Sequence, residues 1–143
     1  MPDILLDLPI KASIDRVFQG VSAPEGLDRW WTKSSAGQPS LGAEYKLGFG
    51  TGYEWRAKVT RCEPHAEFEL ELVSADDDWS GTRVGFRLEE RGGATWMRFR
   101  HTGWPDANEH YRISCNCWAS YVRVLRRHLE HGESVPYERR LDV

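Results

Sequence analysis

The strongest constraint on the fold is a run of five alternating segments between residues 43 and 102, followed by one long stretch with helical periodicity. In each segment every second residue is apolar or aromatic, and short turn sequences separate the segments. A period of two places successive side chains on opposite faces of a strand, so the segments predict an antiparallel sheet with one apolar face. The inward positions are Ala43, Tyr45, Leu47 and Phe49; Tyr53, Trp55, Ala57 and Val59; Phe68, Leu70 and Leu72; Val84, Phe86 and Leu88; Met97, Phe99 and His101.

The opposite faces of these segments are charged, and the sign changes between neighbours. Basic residues on the second segment would face acidic residues on the third, which would face basic residues on the fourth. Opposite charges on adjacent strands stabilise their pairing, so the pattern favours a sheet that pairs in chain order, and it explains most of the charge without a binding partner. The residues are Arg56 and Lys58; Glu67, Glu69 and Glu71; Arg83 and Arg87.

The region before the sheet predicts one more strand and two short helices. Residues 4–10 alternate between apolar and polar positions, which is typical of a strand. Ser13 is suited to cap a short helix whose apolar residues recur at helical spacing. A second short helix starts at Pro24 and ends near Trp31, and residues 32–42, which lack periodicity, predict a loop.

The last predicted element is a helix from about residue 107 to residue 131, whose apolar stripe must pack against the apolar face of the sheet. Asp106 and Glu109 have the spacing of a capping box, and Gly132 is a typical helix stop. Residues 133–143 are expected to form a loose or weakly docked tail. The stripe consists of Tyr111, Cys115, Trp118, Val122, Leu125 and Leu129.

Length and charge limit the classes of protein to consider. At 143 residues the chain has the size of one ordinary domain, which we place at residues 1–143. A net charge of −3 gives no positive field for nucleic acid. No apolar run approaches the roughly 20 residues that span a bilayer, and residues 1–10 lack the basic start of a secretory signal.

The three cysteines form no paired framework, so we expect free thiols and a reducing, cytoplasmic location. Cys115 and Cys117 look like a chelating pair, but two residues along a helix turn by about 200°, which points the sulfurs to opposite sides. His128 and His131 have helical metal-ligand spacing but lie among arginines at an exposed helix end. We therefore expect no metal at either pair.

The order of these elements, with short sequences at both ends, resembles the START-like (SRPBCC) superfamily. The segments that carry the resemblance are ASIDRVF at residues 12–18, PEGLDRWW at residues 24–31, FRHTGW at residues 99–104, Trp118, and LEHG at residues 129–132. Within the superfamily the chain is most similar to the homologues of the activator of heat-shock-protein ATPase (AHSA-like).

The resemblance implies an α+β helix-grip fold with the order β-α-α-β-β-β-β-β-α, in which a curved antiparallel sheet wraps around a long C-terminal helix. It also implies a pocket between the sheet and this helix, which across the superfamily holds apolar or aromatic small molecules. It does not imply chaperone activation. In the eukaryotic activator a separate amino-terminal domain does much of the stimulation, and no such domain is expected here.

The candidate ligand-binding residues are the large or polar side chains that the pattern turns toward this pocket. Apolar walls with a few polar groups are typical of small-molecule sites, although each aromatic could also simply fill the core. Trp31, next to the loop, would form a lid or wall, whereas Trp79 and Trp96 are expected to be exposed. The candidates are Trp31, Tyr45, Tyr53, Trp55, Phe86, Phe99, His101, Tyr111, Cys115 and Trp118.

His101 is the most informative single residue, because alternation turns it inward at the end of the fifth segment. Three interpretations stay open: a buried histidine hydrogen-bonded to a tyrosine or to the backbone, a ligand-facing donor or acceptor, and a general base. No Asp, Glu, Lys or Arg occupies an inward strand position. Any catalysis would therefore depend on His101 and the tyrosines.

Three functional hypotheses follow. The first is a cytoplasmic protein that binds a small hydrophobic molecule, aromatic or lipid-like, with no catalytic residue, cofactor or metal. The second is an enzyme similar to polyketide cyclases or aromatases that uses His101. The third is a protein-interaction or stress-related regulatory module, for which a homodimer through the sheet edge or the last helix is well suited.

Overall fold

A computed structural model describes residues 2–143. The predicted order of elements is confirmed, with one additional strand. The strands are β1 (Ile4–Ile10), β2 (Ser34–Ala36), β3 (Glu44–Gly48), β4 (Glu54–Glu63), β5 (Glu67–Ser74), β6 (Arg83–Arg91) and β7 (Ala94–Thr102). The helices are α1 (Ile14–Ser22), α2 (Pro24–Leu27), α3 (Glu109–His131) and a short 3-10 helix at Tyr137–Arg139.

All seven strands form one antiparallel sheet in the order β1-β7-β6-β5-β4-β3-β2. The predicted pairing of opposite charges is confirmed, since Glu71 on β5 lies opposite Lys58 on β4 and opposite Arg83 on β6. The first strand closes one edge of the sheet by pairing with β7.

Helix α3 crosses this apolar face, and the residues that meet there form the core. Its C-terminal half buries the predicted stripe, including Trp118, Val122 and Leu125. Burial of such side chains contributes about 25 cal/mol per Å² of apolar surface removed from water, so this contact stabilises the fold. The N-terminal half of the stripe is only partly buried, and the candidate site lies beside it.

The caps of the helices agree with the sequence at two of the three ends for which it predicted one. The Ser13 hydroxyl accepts a hydrogen bond from the Arg16 amide, and Gly132, with φ 68°, ends α3 as predicted. The N-cap of α3 is Asn108 rather than Asp106, because the Asn108 side chain accepts from the Tyr111 amide at 3.0 Å. Alanine 23 ends α1 in an extended conformation and leads directly into α2.

Strand β2 lies within the segment predicted to be a loop. Its three residues pair with β3, with Ser34 opposite Gly48. The Ser35 hydroxyl donates to the Asp28 carboxylate at 2.9 Å, which ties the strand to the end of α2. So short and polar a strand has no alternation of its own. It forms because the edge of β3 offers unpaired backbone groups, and a sequence pattern does not reveal that.

The outer face of the sheet contains one buried carboxylate, which differs from the solvent-exposed face that the charge pattern predicted. Glu69 on β5 is only 4% exposed. Its carboxylate accepts hydrogen bonds from the Thr60 hydroxyl at 2.7 Å and from the Arg100 guanidinium at 2.8 Å and 3.2 Å. A Cβ at Gly85 would lie 2.6 Å from the guanidinium carbon of Arg100, so this glycine makes the room in which the ion pair is buried.

Residues 133–143 pack back onto the rest of the protein rather than forming the loose tail that the sequence suggested. Arg140 is 6% exposed, and its guanidinium donates to the carbonyl oxygens of Asp28 at 2.6 Å and Thr32 at 3.0 Å. The Tyr137 hydroxyl donates to the carbonyl oxygen of Phe49 at 3.3 Å. The partners are backbone groups about 90 to 110 residues away in the chain, so local composition carries no sign of this docking.

Gly26 is expected to tolerate no side chain, because a Cβ there would lie 2.4 Å from the Gln19 carbonyl oxygen and 2.8 Å from the Gly20 Cα. Both contacts are with backbone that cannot rotate away. We expect Gly26→Ala to lower the free energy of unfolding by about 3 kcal/mol in urea denaturation. The control is Gly20→Ala, whose Cβ would meet the flexible end of Leu125 at 3.2 Å. A similar loss in both variants would contradict this explanation.

Candidate aromatic binding site

A cavity of about 160 Å³ opens between the first half of α3 and the segments that follow β3 and β5. An engineered apolar cavity of about 150 Å³ holds a benzene molecule, whereas sites for drug-sized ligands occupy roughly 300 to 1,000 Å³. The opening therefore accommodates one ring. It is lined by Trp31, Phe49, Trp55, Trp79, His110, Ile113, Ser114, Cys117, Trp118 and Tyr121.

Five aromatic side chains of this lining form a closed circle, in which each ring contacts the next. The distances between ring centroids are 5.8 Å for Trp31–Phe49, 4.6 Å for Phe49–Trp55, 5.0 Å for Trp55–Trp79, 5.7 Å for Trp79–Trp118 and 5.1 Å for Trp118–Trp31. Among the described residues, members of the circle that are not neighbours make no aromatic contact with each other. We call these five residues the aromatic circle.

The space behind the aromatic circle is filled by protein. Trp30 and Phe99 are almost completely buried there, and the Phe99 ring lies 4.5 Å from that of Trp118. Tyr45 closes the far end, where its hydroxyl donates to the Ser22 carbonyl oxygen at 2.6 Å. Aromatic side chains thus occupy most of the volume between the sheet and α3, and the ring-sized opening is what they leave.

The prediction that Trp79 is exposed is wrong. Trp79 is 7% exposed and stacks against Trp118 with an angle of 23° between the ring planes. The turn before β6 folds inward because the Thr82 hydroxyl donates to the Trp79 carbonyl oxygen at 2.6 Å. Trp96, also predicted to be exposed, is half-buried and donates through Nε1 to the Asp7 carboxylate.

His101 is fully buried, and both of its ring nitrogens are engaged. Trp118 Nε1 donates to His101 Nδ1 at 3.0 Å, so Nδ1 carries no proton. The only hydroxyl proton of Thr82 is donated to the Trp79 carbonyl oxygen, so Thr82 Oγ1 accepts from His101 Nε2, 2.8 Å away. The network fixes the Nε2–H tautomer and ties Trp118 to the turn that carries Trp79.

This environment makes His101 unsuited to act as a general base. Burial, with a smaller contribution from the charge of His110, lowers the pKa of His101 to about 3. The lone pair that a base needs is on Nδ1, where it accepts from Trp118. Of the three interpretations of His101, the structure supports the buried, hydrogen-bonded histidine, with a tryptophan and a threonine as its partners.

Three of the ten predicted site residues line the cavity: Trp31, Trp55 and Trp118. Three others, Tyr45, Phe86 and Phe99, face inward as predicted but lie in the core behind the aromatic circle, as does His101. These side chains fill the space that a larger pocket would need.

The remaining three predicted residues lie outside the cavity. The inward orientation of Tyr53 is wrong: the side chain is 58% exposed, because β4 begins one residue later and Tyr53 belongs to the turn. Tyr111 is half-buried, and its hydroxyl donates to the Asp3 carbonyl oxygen at 2.7 Å. Cys115 is partly buried against the core.

Sequence reasoning missed seven lining residues. Five of them lie on α3 and recur at intervals of three and four residues, which is the signal of a helix face adjacent to the apolar stripe. That face could have been recognised, although its polar character is also typical of solvent exposure. The missed residues are Phe49, Trp79, His110, Ile113, Ser114, Cys117 and Tyr121.

The lining contains no Lys or Arg, so nothing there compensates an anionic ligand. Burial raises the pKa of the Cys117 thiol and raises that of Tyr121 to about 12, with smaller contributions from Cys117 and Tyr137. Both groups are therefore protonated at pH 7. The one carboxylate bonded to the lining is that of Asp78, which lies 3.1 Å from His110 Nδ1.

The described part of the chain contains neither a candidate metal site nor a candidate membrane-spanning helix. No group of three His, Cys, Asp or Glu side chains among residues 2–143 could hold a metal ion. The three cysteines are unpaired. No helix of the described chain is both long and apolar enough to cross a bilayer.

A curved antiparallel sheet that grips a long C-terminal helix defines a START-like protein of the helix-grip class, as the sequence predicted. The family follows from the sequence match. Residues 11–130 match the family described as "Activator of Hsp90 ATPase homolog 1-like protein", and the chain belongs to this family.

Solved structures share this fold over nearly the whole chain. The Aha1 dimer from Colwellia psychrerythraea is 28% identical, with a TM-score of 0.84, and the match covers 94% of this chain and 100% of that one. A protein from Staphylococcus saprophyticus is 18% identical (TM-score 0.78; 94% and 96% covered). DynU16, a putative protein in the dynemicin biosynthetic locus, is 21% identical (TM-score 0.76; 92% and 48% covered). A comparison with curated proteins finds no match.

Proposed function

We propose that this protein binds a small, largely apolar molecule, about the size of one ring, in the cavity enclosed by the aromatic circle. The observation that carries the proposal is the circle itself, in which five contacting rings surround an opening of about 160 Å³. Rings that only filled a core would pack against one another without leaving such an opening.

The size of the cavity limits the affinity that apolar burial can provide. A molecule of one ring that loses about 200 Å² of apolar surface to the cavity gains about 5 kcal/mol, which corresponds to a Kd on the order of 0.2 mM. Tighter binding would need polar contacts, for which Ser114, His110 and the Tyr121 hydroxyl are available in the lining. The expected ligand is thus smaller than the lipid-like molecule that the sequence allowed.

Toluene is expected to bind saturably and to shift the indole N–H signals of the aromatic circle in a ¹⁵N–¹H NMR titration. Cys117→Phe places a ring in the cavity and should weaken binding at least tenfold, because the added side chain takes the space of the ligand. The matched control is Asn116→Phe on the exposed side of the same helix turn, which should leave binding unchanged. Equal binding by both variants, or shifts outside the circle only, would refute the proposal.

The catalytic alternative lacks the residue that it needed. A cyclase-like reaction would use His101 as acid or base, but both ring nitrogens of His101 are engaged within the protein. The interaction-module alternative placed its contact surface on the loop after Trp31, on exposed Trp79 and Trp96, or on a homodimer interface; of these, Trp79 and Trp96 are not exposed. The cavity therefore favours the binding of a small molecule over catalysis, and the homodimer is the part of the interaction alternative that a comparison supports.

We also propose that the protein forms a homodimer in a reducing compartment such as the cytoplasm. A dimer is reported for the Aha1 of Colwellia psychrerythraea, whose structure covers 94% of this chain, and the three unpaired thiols are compatible with a reducing environment. Native mass spectrometry at micromolar concentration tests the assembly. A mass of one chain at all concentrations would exclude a stable dimer.

A further inference from the structure

We propose that the ligand of this cavity is a methylated ammonium cation, such as a trimethylammonium group, held within the aromatic circle. The inference rests on the proposed function, since it assigns the chemical class of the molecule that occupies the same cavity. A trimethylammonium group is similar in size to a benzene ring, so the cavity of about 160 Å³ suits it equally well.

The spacing of the rings carries the inference. With neighbouring centroids 4.6 to 5.8 Å apart, five rings on a common circle have their centroids about 4.4 Å from its centre, well inside the ~6 Å range of a cation–π contact. The ring planes of four of the five neighbouring pairs are inclined by 49° to 58°, as expected for walls that surround a centre, whereas Trp79 and Trp118 stack at 23° and form one side of the circle together. Four members are tryptophans, the side chains that bind cations best.

The charges around the cavity agree with a cationic ligand. Neither Lys nor Arg lines it, and the buried Arg140 guanidinium, which acts on Tyr121 of the lining, donates its hydrogen bonds to backbone carbonyl oxygens outside the cavity. The Asp78 carboxylate contacts His110 of the lining, and Glu109 lies in the first turn of α3. The negative charges of these two carboxylates offset the positive potential at the N-terminal end of the α3 helix dipole. Asp76 and Asp77 continue the same acidic turn.

A cation also accounts for features that a plain apolar ligand leaves unexplained. An apolar molecule needs only apolar walls, and aliphatic residues would provide them. Here a single aliphatic side chain, Ile113, lines the cavity beside the five rings. Aromatic rings attract a cation that has no hydrogen-bond donors and is weakly hydrated, which is the character of a quaternary ammonium.

The decisive experiment compares choline with 3,3-dimethyl-1-butanol, its uncharged isostere, in the same NMR titration. We expect choline to bind at least tenfold more tightly, because the two molecules have the same shape and differ only in the charge that the rings attract. Trp55→Leu keeps apolar bulk but removes one ring face, and should weaken choline at least tenfold and the isostere less than threefold. Trp96→Leu, at a tryptophan outside the cavity, should change neither.

The outcomes separate this inference from the proposed function. If the isostere binds as tightly as choline, or if toluene binds and choline does not, the cavity is an apolar site and the cation assignment is wrong. If none of the three molecules binds, both proposals fail. If Trp55→Leu does not fold, Trp55→Phe replaces it, because phenylalanine keeps a ring at the same position. We expect Trp55→Phe to retain the choline affinity within threefold. An equal loss of affinity for choline and for its isostere would overturn the assignment.

Discussion

Lowering the pH from 6.5 to 3 is expected to remove about 4 to 5 kcal/mol from the free energy of unfolding through His101 alone. Burial lowers the pKa of His101 to about 3 in the folded protein, with a smaller effect from His110, whereas an unfolded histidine titrates near about 6.5. Between these values the unfolded chain takes up a proton that the folded protein does not. The contribution of His101 to the free energy of unfolding therefore decreases as the pH falls from about 6.5 to about 3, and it is constant above about pH 6.5.

The measurement is urea denaturation at pH 7 and pH 4 on the natural protein and on His101→Gln. Glutamine cannot titrate in this range, and its amide can still offer an acceptor to Trp118 and a donor to Thr82. The variant is less stable at pH 7, but its loss of stability between the two pH values should be smaller by about 3 kcal/mol. Parallel behaviour of the two proteins would show that His101 does not stay neutral in the fold.

Replacement of Glu69 by alanine is expected to lower the free energy of unfolding by about 2 to 3 kcal/mol. The carboxylate accepts from Thr60 and Arg100, so its removal takes away one of the two carboxylates that pair with the Arg100 guanidinium, which is only 20% exposed, and leaves Glu67 as the other. Glu71→Ala is the control on the same strand, because its carboxylate is more exposed and lies 3.4 Å from Arg83. That variant should lose less than about 1 kcal/mol.

The pH dependence of this ion pair differs from that of His101. Burial acts to raise the pKa of Glu69, but hydrogen bonds from Thr60 and Arg100 and the charges of Arg100 and Arg83 lower it overall. A folded pKa below the unfolded value of about 4.3 means that the stabilisation is complete above this pH and is lost as the pH falls through the folded value. Thermal unfolding of Glu69→Ala and Glu71→Ala at pH 7 measures both losses. Equal losses of stability in the two variants would contradict the assignment of a buried ion pair to Glu69.

Both experiments probe the surroundings of the aromatic circle. His101 holds Trp118 and, through Thr82, the backbone of Trp79, so it supports two of the five rings. Glu69 and Arg100 lie on the outer face of the strands whose inner faces carry Phe68 and Phe99. The sheet and the polar network around His101 fix the positions of the five rings. The opening persists because the rings, held in this way, do not collapse into it.

Apart from β2, the strands and helices and the pairing of β4, β5 and β6 were predictable from the sequence, because they depend on local periodicity and charge pattern. Alternation marked the strands, the stripe from Tyr111 to Leu129 marked α3, and Ser13 marked the start of α1. The same patterns indicated which residues face inward, and this was right for Tyr45, Phe86 and His101. At Tyr53 the alternation predicted an inward side chain, which is wrong, because alternation does not indicate the residue at which a strand begins.

The site itself was decided by the tertiary structure. Trp79 comes from a turn, Phe49 from the end of a hairpin strand, and Trp31 from a loop, and each takes its place through contacts with residues far away in the chain. The partners of His101 are an indole from α3 and a hydroxyl from the turn before β6, which no spacing relates to it. Periodicity determines the face on which a side chain lies. Which side chains meet across faces, and what opening they leave, is determined only when the sheet curves around α3 and the loops close over its end.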